Sequence, residues 1–285
     1  MEIKNIVVVG GGTMGSGIAQ LCAQQGFQAT ICDISLELAE KSRQRIEKGL
    51  ADRVSKGKIS EDEKSRIMSR ISAAGDLQPV KQADFVIESV VEDMNVKKQV
   101  FRKLDELAGK DVILVTNTTS LSISEMAEAT RRPEKVCQMH FFNPPVIMKL
   151  VEIMPGKKTA PATIKEVEKL ALALGKDPVV CQKEAPAGIV SRVLGQLLNE
   201  ATWLVETGVA KPEDIDKAMK LGANHPMGPC QLIDLIGLDV HRAKMQTLRT
   251  VLNDPRYQHP PIVDRMIAEG RLGKKSGRGF YEYQE

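Results

Sequence analysis

The chain has 285 residues, is 42% hydrophobic, and carries 40 basic against 37 acidic residues for a formal charge of +3. That length fills one large or two ordinary domains around a sizeable core, and the interspersed charge leaves no field suited to a nucleic-acid partner. No apolar run approaches the roughly 20 residues that span a bilayer, and a first strand beginning by Ile3 or Lys4 leaves no room for a targeting segment, so no membrane and a cytoplasmic location are expected.

Ile6-Val7-Val8-Val9 reads as a buried strand running into Gly10-Gly11-Gly12-Thr13-Met14-Gly15, a Gly-x-Gly-x-x-Gly turn. The first glycine permits a tight turn, the second lets backbone approach phosphates, and the third lets a helix over 16–25 pack on the strand. A second strand, Ala29-Thr30-Ile31-Cys32, ends at Asp33, about 20 residues downstream, where a carboxylate can accept both hydroxyls of a ribose. The pattern predicts a dinucleotide site built from Gly10, Gly12, Thr13, Met14, Gly15 and Asp33. A carboxylate there repels an additional ribose phosphate, and Ile34, Ser35 and Leu36 offer no arginine to receive one, so the cofactor reads as NAD.

Residues 36–70 carry Leu38, Ile46, Leu50, Val54, Ile67 and Met68 at helical spacing and read as two helices. Lys56-Gly57-Lys58 is the break, and Ser60-x-x-Glu63 is a capping box that restarts the second helix. Strands are predicted at 71–73, 85–88, 112–116, 136–140, 150–153 and 178–181. Their alternation with amphipathic helices implies an α/β fold with a doubly wound, mainly parallel sheet.

Beyond about Ala187 no strand is evident before Phe280-Tyr281, so an all-α domain is expected there. Leu194, Leu197, Leu198, Ala201, Leu204 and Val205 form one apolar stripe. Lys211-Pro212-Glu213-Asp214 starts another helix, and Gly222 stops it. Wide apolar stripes on so small a helical unit favour a homodimer, with an internally completed core as the alternative. Boundaries of 1–186 and 187–285 follow. The cysteines Cys22, Cys32, Cys137, Cys181 and Cys230 are scattered without close pairing and the histidines are dispersed, which reads as buried reduced thiols and no metal site.

Chemistry is expected at the carboxyl edge of the sheet. His140 ends a predicted strand and Glu152 lies on the next, a pair in which imidazole can take a hydroxyl proton while the carboxylate fixes its tautomer; a structural histidine bonded to backbone has the same signature. Thr119 follows the strand ending Val115-Thr116-Asn117 and offers a hydroxyl, although Asn-Thr-Thr-Ser is also the composition of a helix cap. Glu92 and Lys97 read equally as site residues or as a solvated helix start. Lys48, Arg53, Lys56 and Lys58 make the helical hairpin a solvated face or a phosphate site.

Taken together these motifs resemble the L-3-hydroxyacyl-CoA dehydrogenase family, closest to its short bacterial 3-hydroxybutyryl-CoA dehydrogenases. The resemblance runs from the glycine turn through Val86-Ile87-Glu88-Ser89-Val90-Val91-Glu92, Asn117-Thr118-Thr119-Ser120, His140-Phe141-Phe142-Asn143-Pro144 and His225-Pro226-Met227-Gly228-Pro229 to Gly273-Lys274-Lys275-Ser276-Gly277-Arg278-Gly279-Phe280-Tyr281. It implies NAD-linked, reversible oxidation of an (S)-3-hydroxyacyl-CoA, with His140 as base and Glu152 as its partner. It also implies cofactor contacts at Asp33, Glu92, Lys97, Asn143 and Lys275, with Asn117 and Thr119 as further candidates. Lys56 would contact CoA, Thr119 the substrate, and the helical domain would dimerise. Alternative readings are a dehydrogenase of a free hydroxy acid and a catalytically weak NAD-binding paralogue.

Two departures from the family pattern stand out. Thr119 replaces the usual serine, keeping the hydroxyl and adding a methyl. Pro186-Ala187-Gly188-Ile189-Val190-Ser191-Arg192 stands where Pro-Gly-Phe-x-Val-Asn-Arg is usual. Ser191 thereby replaces an amide near the substrate, and Gly188 replaces a phenylalanine, which predicts room for a longer or branched acyl chain.

Overall fold

The computed structural model describes residues 3–283. Its β-branched runs form strands β1 (Asn5–Val9), β2 (Gln28–Cys32), β3 (Ile71–Ala74), β4 (Phe85–Glu88), β5 (Ile113–Thr116), β6 (Val136–Phe141), β7 (Leu150–Pro155) and β8 (Asp177–Val180). They make one sheet in the order β3-β2-β1-β4-β5-β6-β7-β8. Every pair is parallel except β6 and β7. The mainly parallel, doubly wound expectation holds, and the exception has a simple cause. Residues 142–149 are too few for the helical crossover that a parallel return requires, so the chain turns back on itself.

Helices cover both faces: α1 (Thr13–Gln24), α2 (Leu36–Ser55), α3 (Glu61–Met68), α4 (Met94–Leu107), α5 (Ile123–Ala127) and α6 (Pro161–Ala173). Ile6, Val8, Ile31, Phe85 and Ile87 pack with α1 and α2 on one side, while Val7, Val9, Val86 and Leu114 pack with Phe101 and Leu104 of α4 on the other. The hairpin of α2 and α3 breaks at Gly57, whose φ of +65° lies in the left-handed region. Ser35 and Ser60 cap its helices by accepting from the N–H groups of Leu38 and Glu63.

The chain divides into two compact units between Gly188 and Ile189. The second is helical, with α7 (Val190–Glu206), α8 (Pro212–Gly222), α9 (Pro229–Ile236), α10 (Leu238–Leu252) and α11 (Pro261–Ala268). Phe280 and Tyr281 are not in a strand; they pack on Ala201, Ile215 and Cys230. Two buried aspartates fasten this last segment. Asp234 accepts from the N–H groups of Phe280 and Tyr281, and Asp216 from the Tyr281 hydroxyl and the Cys230 N–H.

Among the described residues no helix is long and apolar enough to cross a membrane. Cys22, Cys32, Cys137 and Cys230 are buried free thiols and Cys181 is half-buried. Burial pushes Cys22 and Cys32 up to about 12.

Candidate active site

The glycine turn has the stereochemistry its sequence predicts. Gly10 has a φ of +97°, and a Cβ on Gly15 would stand 1.8 Å from the Gly10 carbonyl oxygen, so neither position admits a side chain. Among the described residues, a Cβ at Gly12 would meet nothing within 4 Å beyond its own chain neighbours. Gly12 is also the N-cap of α1 and lends it no side-chain bond. An uncapped helix start with a bare approach through Gly12 is the geometry a pyrophosphate fits. Thr13 and Met14 supply the first-turn backbone.

Asp33, at the end of β2, accepts from Gly11 N–H through Oδ2 at 2.8 Å and from Ile34 N–H through Oδ1 at 2.7 Å. A cleft of about 660 Å³ opens beside it, walled by Val9, Gly10, Ile34, Leu77, Val96 and Val100. Largely apolar walls, with the Asp33 carboxylate at the rim and Asp76, Lys103 and Glu106 also in the lining, suit an adenosine, its base on the apolar side chains and its ribose on Asp33.

Across the sheet, the antiparallel register sets His140 of β6 directly opposite Glu152 of β7. His140 Nδ1 lies 3.4 Å from Glu152 Oε2, and His140 Nε2 lies 3.3 Å from the Thr119 hydroxyl. His140 is 6% exposed and Glu152 1%. The ring therefore has a carboxylate at one nitrogen and a hydroxyl at the other, the order that a proton-transferring histidine requires.

Glu92 organises the loop that carries Thr119. Its Oε1 accepts from the N–H groups of Thr119 and Ser120 at 3.0 and 3.1 Å and from the Thr118 hydroxyl. Burial works to raise its pKa, but the Thr118 hydroxyl, the Lys97 charge and the two N–H groups outweigh it and hold the carboxyl below the ordinary range. Lys97 is 1% exposed, its ammonium 2.7 Å from Glu88 Oε1 and 3.6 Å from Glu92 Oε2. Asn117 fastens the neighbouring strand ends by accepting from Phe141 N–H at 2.8 Å.

Two residues that build this edge, Glu88 and Lys176, escaped the sequence reading. Glu88, fully buried, takes Lys97, the Thr116 hydroxyl and Val90 N–H. Lys176 donates to the carbonyls of Pro145 and Met148 and so holds the turn between β6 and β7. The signal for Glu88 was present: an acid ending the apolar run Phe85-Val86-Ile87 has to find a buried partner.

Asn143, in the same turn, is exposed. Lys56 caps the end of α2, more than half exposed, with its ammonium 2.7 Å from Asp52. In the helical unit, Lys275 pairs with Asp239 at 2.7 Å, and Ser191 lies in the first turn of α7.

One expectation fails. Gly188 does not open space for a longer acyl chain: a Cβ there would stand 2.3 Å from Glu152 Oε2, and its φ is +56°. The missing side chain makes room for a carboxylate.

A doubly wound sheet with a dinucleotide turn at one switch point and a buried His–Glu pair on neighbouring strand ends defines a dinucleotide-linked enzyme of the Rossmann class. Residues 5–185 match the family described as 3-hydroxyacyl-CoA dehydrogenase, NAD binding domain, and residues 189–283 match the 3-hydroxyacyl-CoA dehydrogenase C-terminal domain. The chain is 45% identical over 285 residues to a probable 3-hydroxybutyryl-CoA dehydrogenase of Bacillus subtilis, covering 100% of this chain and 99% of that one. It is also 45% identical over 280 residues to a 3-hydroxybutyryl-CoA dehydrogenase of Clostridioides difficile, covering 98% and 99%. The crystal structure of (S)-3-hydroxybutyryl-CoA dehydrogenase PaaH1 from Ralstonia eutropha superposes with a TM-score of 0.96 at 39% identity, each chain wholly covered. The chain belongs to the 3-hydroxyacyl-CoA dehydrogenase family.

Proposed function

We propose that this protein interconverts an (S)-3-hydroxyacyl-CoA and the 3-oxoacyl-CoA with NAD, and that the acyl group is the four-carbon one named in its relatives. The observation that carries the reading is the hydrogen-bonded order Thr119, His140, Glu152 at the carboxyl edge of the sheet. Bound NAD supplies the hydride acceptor. In the oxidising direction His140 Nε2 takes the proton of the substrate hydroxyl. Glu152 Oε2 accepts from Nδ1 and offsets the imidazolium charge as it forms. The Thr119 hydroxyl, already near Nε2, orients the reacting oxygen.

The backbone of Gly10, Gly12, Thr13, Met14 and Gly15 would receive the pyrophosphate, and Asp33 the adenosine ribose. Glu92, Asn117, Asn143 and Lys275 are proposed as further cofactor contacts. Lys97 would act through Glu92, because its own ammonium is enclosed by acids. Lys56 would meet the phosphates of CoA, and Ser191 the substrate. We further propose an NAD-binding domain, 1–186, and a helical substrate domain, 187–285, that dimerises; the protein would act in the cytoplasm.

The test is NADH oxidation with 3-oxoacyl-CoA substrates of increasing length. Activity should peak at four carbons, and His140→Ala should lower turnover by roughly a hundredfold while NADH affinity stays nearly constant. Turnover of a free 3-oxo acid as fast as of its CoA ester would refute the CoA reading, and a fully active His140→Ala would remove the histidine from the mechanism.

A further inference from the structure

The geometry points to Gly188 as a positioning residue for the His140–Glu152 pair. This inference rests on the dehydrogenase reading above. Glu152 presents Oε2 to His140 Nδ1, and the position a side chain on residue 188 would occupy lies 2.3 Å from that same oxygen and 3.3 Å from Cδ. Real carbon atoms do not approach so closely, so any side chain at 188 must displace the oxygen that holds the histidine.

Both partners are held in place. Glu152 is 1% exposed on a strand flanked by β6 and β8. The turn containing Gly188 is tethered from its other end: Glu184 accepts from the Ser122 hydroxyl and Ser124 N–H, and Ala185 N–H lies 2.9 Å from Met154 Sδ. Ala187 and Gly188 have successive left-handed φ values of +62° and +56°, which turn the bare Cα of residue 188 toward the carboxylate. An alanine, with a side chain where the family usually has glycine, and a glycine, with none where it usually has phenylalanine, are thus two halves of one local arrangement that closes on Glu152.

The experiment is a double-mutant cycle with acetoacetyl-CoA and NADH. Gly188→Ala should lower kcat by about tenfold or more with the NADH KM within about twofold of wild type. In a Glu152→Ala background the same change should cost less than about twofold, because the oxygen it displaces is gone. Gly175→Ala controls for left-handed strain alone, since Gly175 has a φ of +69° and a Cβ there would come no nearer than 3.6 Å to Gln25. If Gly188→Ala proves too unstable to assay, the melting temperatures carry the test: Glu152→Ala/Gly188→Ala should melt higher than Gly188→Ala. The inference is overturned if Gly188→Ala behaves like Gly175→Ala, if its loss multiplies with that of Glu152→Ala, or if the double variant melts no higher than the single. An inactive wild-type protein would instead overturn the dehydrogenase reading.

Discussion

Glu88 and Lys97 form an ion pair at 2.7 Å from which solvent is excluded on both sides, the carboxylate ending β4 and the ammonium rising from the first turn of α4. The pair joins the segment between these elements to the loop that carries Thr119, because Lys97 also approaches Glu92, which holds Thr119 and Ser120 by their N–H groups.

Removing one member of such a pair leaves the other buried and uncompensated. Lys97→Met should therefore destabilise the protein by about 3–5 kcal/mol, whereas Glu88→Gln/Lys97→Met, which removes both charges, should recover much of the loss. Urea denaturation of the three proteins is the measurement. Equal stability of the single and double variants would mean that the charge pair is not what the site leans on.

Much of this architecture was legible in the sequence, for identifiable reasons. The run Ile6 to Val9 before three glycines has one good structural solution, and Gly57 followed by the Ser60 cap sets the hairpin as predicted. The antiparallel return of β7 was less legible, although it is what sets Glu152 across from His140; its signal was the shortness of 142–149, not the composition of either strand. The buried Glu88–Lys97 pair could not be read from composition, because a lysine at helical spacing is ordinarily a solvated one. Gly188 was misread because a lost ring suggests a wider pocket until a neighbour is seen in the space.

Asp33 accepts from the backbone N–H groups of Gly11 and Ile34 and has a third proposed duty toward a ribose. Wild type should favour NADH over NADPH by at least about tenfold in kcat/KM, and Asp33→Ala should narrow that gap. The same change frees Gly11 N–H, so a modest fall in melting temperature should accompany it. Equal efficiency of wild type with both cofactors would refute the assignment.

Lys56 shares its charge with Asp52 in an exposed pair of the kind that contributes little stability. Lys56→Ala should leave the melting temperature nearly unchanged and raise the KM for acetoacetyl-CoA, with the effect shrinking as salt shortens the screening length from about 30 Å at 0.01 M to about 10 Å at 0.1 M. Asp52→Asn should act oppositely, lowering that KM at low salt. An unchanged KM in both variants at low salt would return this corner of the hairpin to an ordinary solvated surface.

His241 gives the protein an acid-sensitive point far in sequence from the catalytic pair. It is fully buried on α10, and among the described residues neither ring nitrogen has a hydrogen-bond partner. Burial first, then the charges of Lys244 and His259, push its pKa down to about 3 from an ordinary value of 6.5. The folded protein thus refuses a proton that the unfolded chain accepts between those values. Stability is accordingly level above about pH 6.5 and falls as the pH drops below it, by about 2 kcal/mol at pH 5 from this residue alone. His241→Leu removes both the proton linkage and two unsatisfied nitrogens, so it should stabilise the protein at pH 8 and do so by about 2 kcal/mol more at pH 5. Urea midpoints at the two pH values decide it: a gain that does not grow on acidification would show that His241 finds a proton-bearing partner in solution.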